Sequence, residues 1–165
     1  MKSKEITEAN PWWKWGKGFP EFDSDLKKLK KKLIIFKRKR ISLKPGNIYV
    51  VRGPRQVGKT VWLKQTIEDL IIKEKVDPKV VFYLSCDKLI GETRKELTET
   101  INFYLENVAL EKRPVYLFLD EITWVKDWGH ELKSLADEGI LEKIAVVVSG
   151  SNPWKIKEKT ELLPG

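Results

Sequence analysis

Hydrophobic positions along this chain follow two periods in alternation. Four short apolar runs have the length of strands: Ile48-Tyr-Val-Val51, Val80-Val-Phe-Tyr-Leu84, Val115-Tyr-Leu-Phe-Leu119 and Ile144-Ala-Val-Val-Val148. The unbroken run at Val80 is of the sort found in a sheet covered on both faces. Between the runs, apolar residues recur at helical spacing. Trp62, Leu63, Thr66, Ile67, Leu70 and Ile71 predict a helix from Lys59 to Lys73, which Asp77-Pro78 ends. Leu97, Ile101, Tyr104, Leu105 and Val108 predict a second from Glu92 to Glu111, and Trp124, Trp128, Leu132 and Leu135 mark the core face of a third. Strand and helix in regular turn predict an α/β fold: a three-layer sandwich with a mostly parallel sheet and right-handed crossovers.

Ahead of the first strand the pattern changes. Met1 to Pro20 carries Asn10-Pro-Trp-Trp-Lys-Trp15 among Pro and Gly. It predicts an irregular arm whose rings either anchor it to the core or help enclose the adenine end of a nucleotide. Asp23-Ser-Asp25 caps a Lys-rich helix from Leu26 to Ile35, with Leu26, Leu29 and Leu33 on one face. Phe36 to Leu43 alternates apolar and basic residues, as an edge strand guarded by charge does. Lys44-Pro-Gly46 then turns the chain into a strand over Asn47 to Arg52. The division expected is an arm with its basic helix and edge segment over residues 1–44 and a core over 45–165.

Composition narrows the class. A chain of 165 residues, 41% hydrophobic and 34% charged, suits one soluble domain. No apolar run has the length of a membrane span, no export signal heads the chain, and Cys86 has no second cysteine to pair with, so the expected compartment is the cytoplasm. The net charge of +8 is uneven: residues 1–59 hold 17 basic and 5 acidic side chains, residues 60–165 hold 15 and 19. A solvated basic helix gives such an imbalance, and so does a nucleic-acid surface.

The chemistry concentrates at the end of the first strand, in Gly53-Pro-Arg-Gln-Val-Gly-Lys-Thr60. A strand leading into Gly, four residues and Gly-Lys-Thr, with a helix leading out, is the setting of a phosphate-binding loop. Gly53 and Gly58 allow backbone conformations that aim successive N–H groups at a phosphate, and the helix adds its positive end. Pro54, Arg55, Gln56 and Val57 complete the cradle, Lys59 would reach the β- and γ-phosphates, and the Thr60 hydroxyl would ligate Mg²⁺.

The third strand ends in Asp120-Glu121, the Walker B arrangement, in which Asp120 holds Mg²⁺ through water and Glu121 polarises the attacking water. Two carboxylates at the end of a buried strand are costly unless something compensates them. The fourth strand ends in Ser149-Gly-Ser-Asn152, where a polar group could contact the γ-phosphate, or which is simply a turn. His130 is the single histidine and lies off the helical stripe.

These motifs together resemble the nucleotide-binding core of the AAA+ superfamily. More narrowly, the loop, Leu119-Asp-Glu-Ile122 with Trp128 and Leu132-Lys-Ser-Leu135 after it, Ser149-Gly-Ser151 and Asn10-Pro-Trp-Trp13 resemble the AAA-domain family of predicted archaeal and bacterial ATPases. The resemblance implies a strand order of 5-1-4-3-2, ATP or ADP with Mg²⁺ as ligands, Ser149 as the sensor residue, and an arginine supplied by a further segment, a second copy or a partner. Such relatives continue past a Leu-Pro-Gly like Leu163-Pro-Gly165, so the fifth strand, lid and C-terminal domain are expected to be missing and turnover to be slow. The function expected is a Mg-dependent ATPase switch. The alternative is a nucleotide-regulated nucleic-acid-binding module that uses the basic N-terminal third, with Trp12, Trp13 and Trp15 as stacking residues. A small-molecule phosphotransferase is disfavoured, since no acceptor pocket or closing lid is recognisable.

Overall fold

The structure is a computed structural model that describes residues 3–31, 41–89, 91 and 93–151. The expected end of the Lys-rich helix with Leu33, most of the charged edge segment, Glu92, Asn152 and Leu163-Pro-Gly165 lie outside the described residues. Residues 41–43, the described part of the edge segment, are not in a strand.

The arm is helical, against the expectation of an irregular segment. It forms α1 (Ser3–Ala9), the single turn α2 (Trp12–Trp15), a 3₁₀ stretch over Gly16–Glu21 and α3 (Ser24–Lys30). The Pro and Gly residues that look like breakers delimit these short pieces: Pro11 precedes α2 and Gly16, at φ 51°, closes it. Asp23 caps α3, its Oδ1 accepting from the N–H groups of Asp25 (3.0 Å) and Leu26 (3.1 Å).

Strand β1 (Ile48–Arg52) leads through the Gly-Lys-Thr loop into α4 (Lys59–Glu68), which runs on through a wider π-type turn, Asp69–Lys73. Strand β2 (Val81–Ser85), helix α5 (Arg94–Tyr104) with its own π-type turn Leu105–Ala109, strand β3 (Val115–Asp120), helix α6 (Trp128–Asp137) and strand β4 (Ile144–Gly150) follow. The four strands are all parallel in the order β1-β4-β3-β2. Among the described residues these four strands keep the predicted relative order, and the fold is a P-loop-type α/β sandwich. The continuously apolar β3 and β4 occupy the centre and are buried along their whole length.

The faces of the sheet can be read from β2. Phe82 stacks on Tyr104 of α5 at 4.5 Å between centroids, whereas Tyr83 faces Lys64 of α4, so α4 and α5 cover opposite faces. Helix α6 joins α5 through Arg94 and the buried Glu131, at 3.0 Å. Trp128, Leu132 and Leu135 of α6 are buried as the stripe predicts, but Trp124 is 42% exposed. It belongs to a separate 3₁₀ turn, Ile122–Trp124, because Asp127 at φ 55° breaks the helical path between them.

The arm closes the outer edge of β2. The Asn10 side chain takes both backbone groups of Tyr83, accepting from its N–H at 2.7 Å and donating to its carbonyl at 3.0 Å. The indole N–H groups of Trp12 and Trp13 both donate to the Val81 carbonyl, at 2.8 and 2.9 Å. Trp12 lies edge-on to Phe19, and Trp13 stacks on Tyr104 at 5.6 Å on the opposite face. Three side chains thus stand in for a neighbouring strand. The anchoring role of the tryptophans is the one the packing displays.

A buried ion pair ties the arm to α4. Lys64 Nζ lies 3.2 Å from Asp23 Oδ2, with both side chains about 5% exposed, and 3.8 Å from the centre of the Tyr83 ring. Burial pulls the Lys64 pKa below the usual lysine value, with the Asp23 charge opposing it. Removing one partner strands the other charge. Asp23→Ala is therefore expected to lower the unfolding free energy by about 3–5 kcal/mol in urea titrations. Asp23→Asn, which preserves the cap, should recover only the capping share, about 1 kcal/mol. A loss below about 1 kcal/mol for Asp23→Ala would contradict the pair's role.

Candidate functional site

The loop between β1 and α4 bends twice into left-handed backbone, at Gln56 (φ 62°) and at Gly58 (φ 85°), which caps α4. Left-handed residues separated by one of ordinary hand turn successive N–H groups toward one concavity, a geometry suited to anions. At Gly53 a Cβ would sit 3.1 Å from Val57 Cγ2, so that side chain would have to shift to admit it. Pro54, Arg55, Gln56 and Val57 form the exposed crest of the loop. Lys59, in the first turn of α4, is buried and folds back beneath the loop. Its ammonium lies 3.1 Å from the carbonyls of both Gly53 and Pro54 and 3.2 Å from Glu121 Oε1.

Parallel strands bring the remaining residues to the same edge of the sheet. Asp120 closes β3 and is 1% exposed. Its carboxylate accepts three hydroxyls: Thr60 at 2.6 Å and Tyr83 at 2.9 Å on Oδ2, and Ser149 on Oδ1. Charge-assisted bonds from three side chains offset the burial that made this acid costly from the sequence. Glu121 follows in left-handed backbone (φ 51°), which turns its side chain toward Lys59. Its own N–H donates to Ser149 Oγ at 3.1 Å, and its Oε2 accepts from the Ser151 N–H at 3.2 Å. Ser149 thus touches both acidic residues.

The structure therefore gathers Lys59, Thr60, Asp120, Glu121 and Ser149 into one connected cluster at the mouth of the loop. His130 is exposed on α6 and takes no part in it. Of the three arm tryptophans, Trp12 is fully enclosed and Trp13 is stacked on core rings, so neither presents a free face for a base. Trp15 is 43% exposed, stacked on Phe22 with Lys14 above it.

Tyr83 is the member of the cluster that the sequence does not single out. The register Tyr83↔Phe118 and Ser85↔Asp120 sets it on the face of the sheet that carries Asp120, one row back. Burial and the neighbouring Asp120 charge push its phenol pKa far above the usual tyrosine value, so it remains a proton donor at neutral pH.

The site suits a phosphate ester with a hard cation. Its anion-facing elements are the loop backbone, the start of α4 and the Lys59 ammonium. Its cation-facing elements are oxygens alone, from Thr60 and Asp120, the donor type that Mg²⁺ prefers. Among the described residues no three His, Cys, Asp or Glu side chains come together as a metal cluster. A cation there would be held by the Thr60 hydroxyl and, through water, by Asp120, with water and phosphate supplying the other oxygens that Mg²⁺ prefers. No described helix is long and apolar enough to cross a membrane.

Comparison with known proteins places the chain in a family. A family model described as an AAA domain matches residues 45–165. An uncharacterized protein of Methanocaldococcus jannaschii, MJ1637, is 30% identical over 117 residues, which is 70% of this chain and 24% of the relative. The chain thus spans about a quarter of the length of that curated relative.

Proposed function

This chain belongs to the AAA-domain family, and from that premise we propose that it binds Mg·ATP at the Gly53–Thr60 loop and hydrolyses it to ADP and phosphate as a molecular switch. Family membership points to nucleotide binding. The observation that supports hydrolysis is the placement of Glu121, held between Lys59 and the Ser151 N–H. There its carboxylate would stand beside a γ-phosphate held by the loop and Lys59.

Each group has a task in this reading. The loop backbone and Lys59 hold the β- and γ-phosphates. Thr60 and, through water, Asp120 would hold Mg²⁺, which would offset charge on the phosphate oxygens. Glu121 accepts a proton from the attacking water. The water oxygen bonds to the γ-phosphorus while the bond to the bridging oxygen breaks, and ADP departs with that electron pair. Ser149 orients both acids through its hydroxyl. An arginine contributed by a second copy or a partner would raise turnover, by about 10³ to 10⁵ in comparable sites.

Calorimetric titration with ATP and ADP, with and without Mg²⁺, together with phosphate release, tests the proposal. Tighter binding with Mg²⁺ and slow phosphate release are expected; absence of binding to either nucleotide would overturn it. A labelled oligonucleotide carried through the same titration addresses the nucleic-acid alternative, which now rests on Trp15 and the basic surface. Salt-dependent binding at affinities above those for nucleotide would favour it.

A further inference from the structure

Resting on the nucleotide-binding reading, we propose that Tyr83 is a positioning residue for Asp120, and that the N-terminal arm, by fixing Tyr83, sets how readily the site takes up Mg²⁺. Asp120 Oδ2 receives two hydroxyls of different standing. Thr60 belongs to the loop and shares the cation-facing side. Tyr83 comes from the opposite direction, off β2, and its bond to Oδ2 fixes the orientation of the carboxylate plane. Groups that hold a ligating carboxylate in this way change metal affinity substantially.

Tyr83 is itself held by two groups, one of them fixed by a third. Asn10 takes its backbone N–H and carbonyl, the Lys64 ammonium sits 3.8 Å from its ring centre, and Asp23 pairs with that ammonium at 3.2 Å. Two of these three, Asn10 and Asp23, belong to the arm. The phenol therefore joins the arm to the carboxylate through contiguous contacts, with no solvent-exposed link between them. An arm held by a partner or loosened by one would alter Asp120 without touching the loop.

The test is ADP titration calorimetry across a series of Mg²⁺ concentrations, with thermal unfolding measured in parallel. Tyr83→Phe keeps the ring over Lys64 and removes only the hydroxyl. It should leave Mg²⁺-free ADP affinity within about twofold of native and raise the Mg²⁺ needed for half-maximal enhancement about tenfold. Asn10→Ala should shift the Mg²⁺ requirement in the same direction, and the double variant should shift it no further than Tyr83→Phe alone.

An unchanged Mg²⁺ requirement in Tyr83→Phe overturns the proposal, whatever happens to stability, because a purely structural role would lower the melting temperature and leave that requirement alone. Fully additive shifts overturn the coupling to the arm. Should Tyr83→Phe fail to fold, Asn10→Ala decides: a native Mg²⁺ requirement in it overturns the coupling. Failure of the native protein to bind ADP at all would instead count against the proposed function, so the two failures are distinguishable.

Discussion

Glu121→Gln should retain Mg·ATP binding and lose phosphate release, by about 10² to 10⁴-fold, the usual contribution of a positioned general base. The substitution is close to isosteric, and the amide oxygen can still accept the Ser151 N–H that holds the carboxylate at 3.2 Å. What changes is the charge facing Lys59 and the capacity to take a proton. Removing that negative charge also relieves repulsion with an incoming phosphate, so affinity should stay equal or rise. Single-turnover phosphate release and ATP calorimetry on the same preparation separate the two effects. Release at the native rate would show that Glu121 is a structural partner of Lys59 and not the base.

Lys59→Ala is expected to act on binding itself, weakening ADP and ATP by about 10³-fold. The estimate takes about two charge-assisted contacts to phosphate at roughly 1.5–3 kcal/mol each, with 1.4 kcal/mol per factor of ten. The fold should survive. Glu121 is 22% exposed and retains the Ser151 N–H, and water can replace the ammonium at the Gly53 and Pro54 carbonyls. Lys59→Arg should not rescue binding, because a planar guanidinium cannot converge on two carbonyls and a carboxylate from one compact centre. Calorimetry checks both variants, with melting temperature as the control. Binding within tenfold of native for Lys59→Ala would remove the loop from the site.

What the sequence makes legible is whatever depends on neighbours in the chain. The strand-loop-helix passage at Gly53–Thr60 and the apolar strand ending in Asp120 are local signals, but place in the sheet is not: the run of β2 is as unbroken as those of β3 and β4, yet β2 lies at the edge. What it conceals depends on register and on distant contacts. Tyr83 looks like one more strand aromatic until the pairing Ser85↔Asp120 sets it on the acid's face. Nothing in the sequence singles out Lys64, yet it is buried by an arm whose Asp23 is 41 positions earlier. Trp124 fits the helical period perfectly well, and the backbone breaks that period at Asp127. In the arm, Pro and Gly were legible as punctuation, but not the short helical turns between them, which tertiary packing stabilises despite their length.

The arm's grip on β2 also sets an order of events during synthesis. Asn10 and Tyr83 lie 73 positions apart, so the arm is made before its docking surface, and Trp12 and Trp13 remain uncovered until β2 follows. Until it docks, β2 displays an unpaired edge and Lys64 lacks its counter-ion. A boundary drawn at residue 45, where the family match begins, therefore runs through a single cooperative unit: Ile6, Trp12, Phe19 and Leu26 share one core cluster with the strands of the sheet. The sheet reaches its final state only when the arm, made before its strands, returns to seal β2.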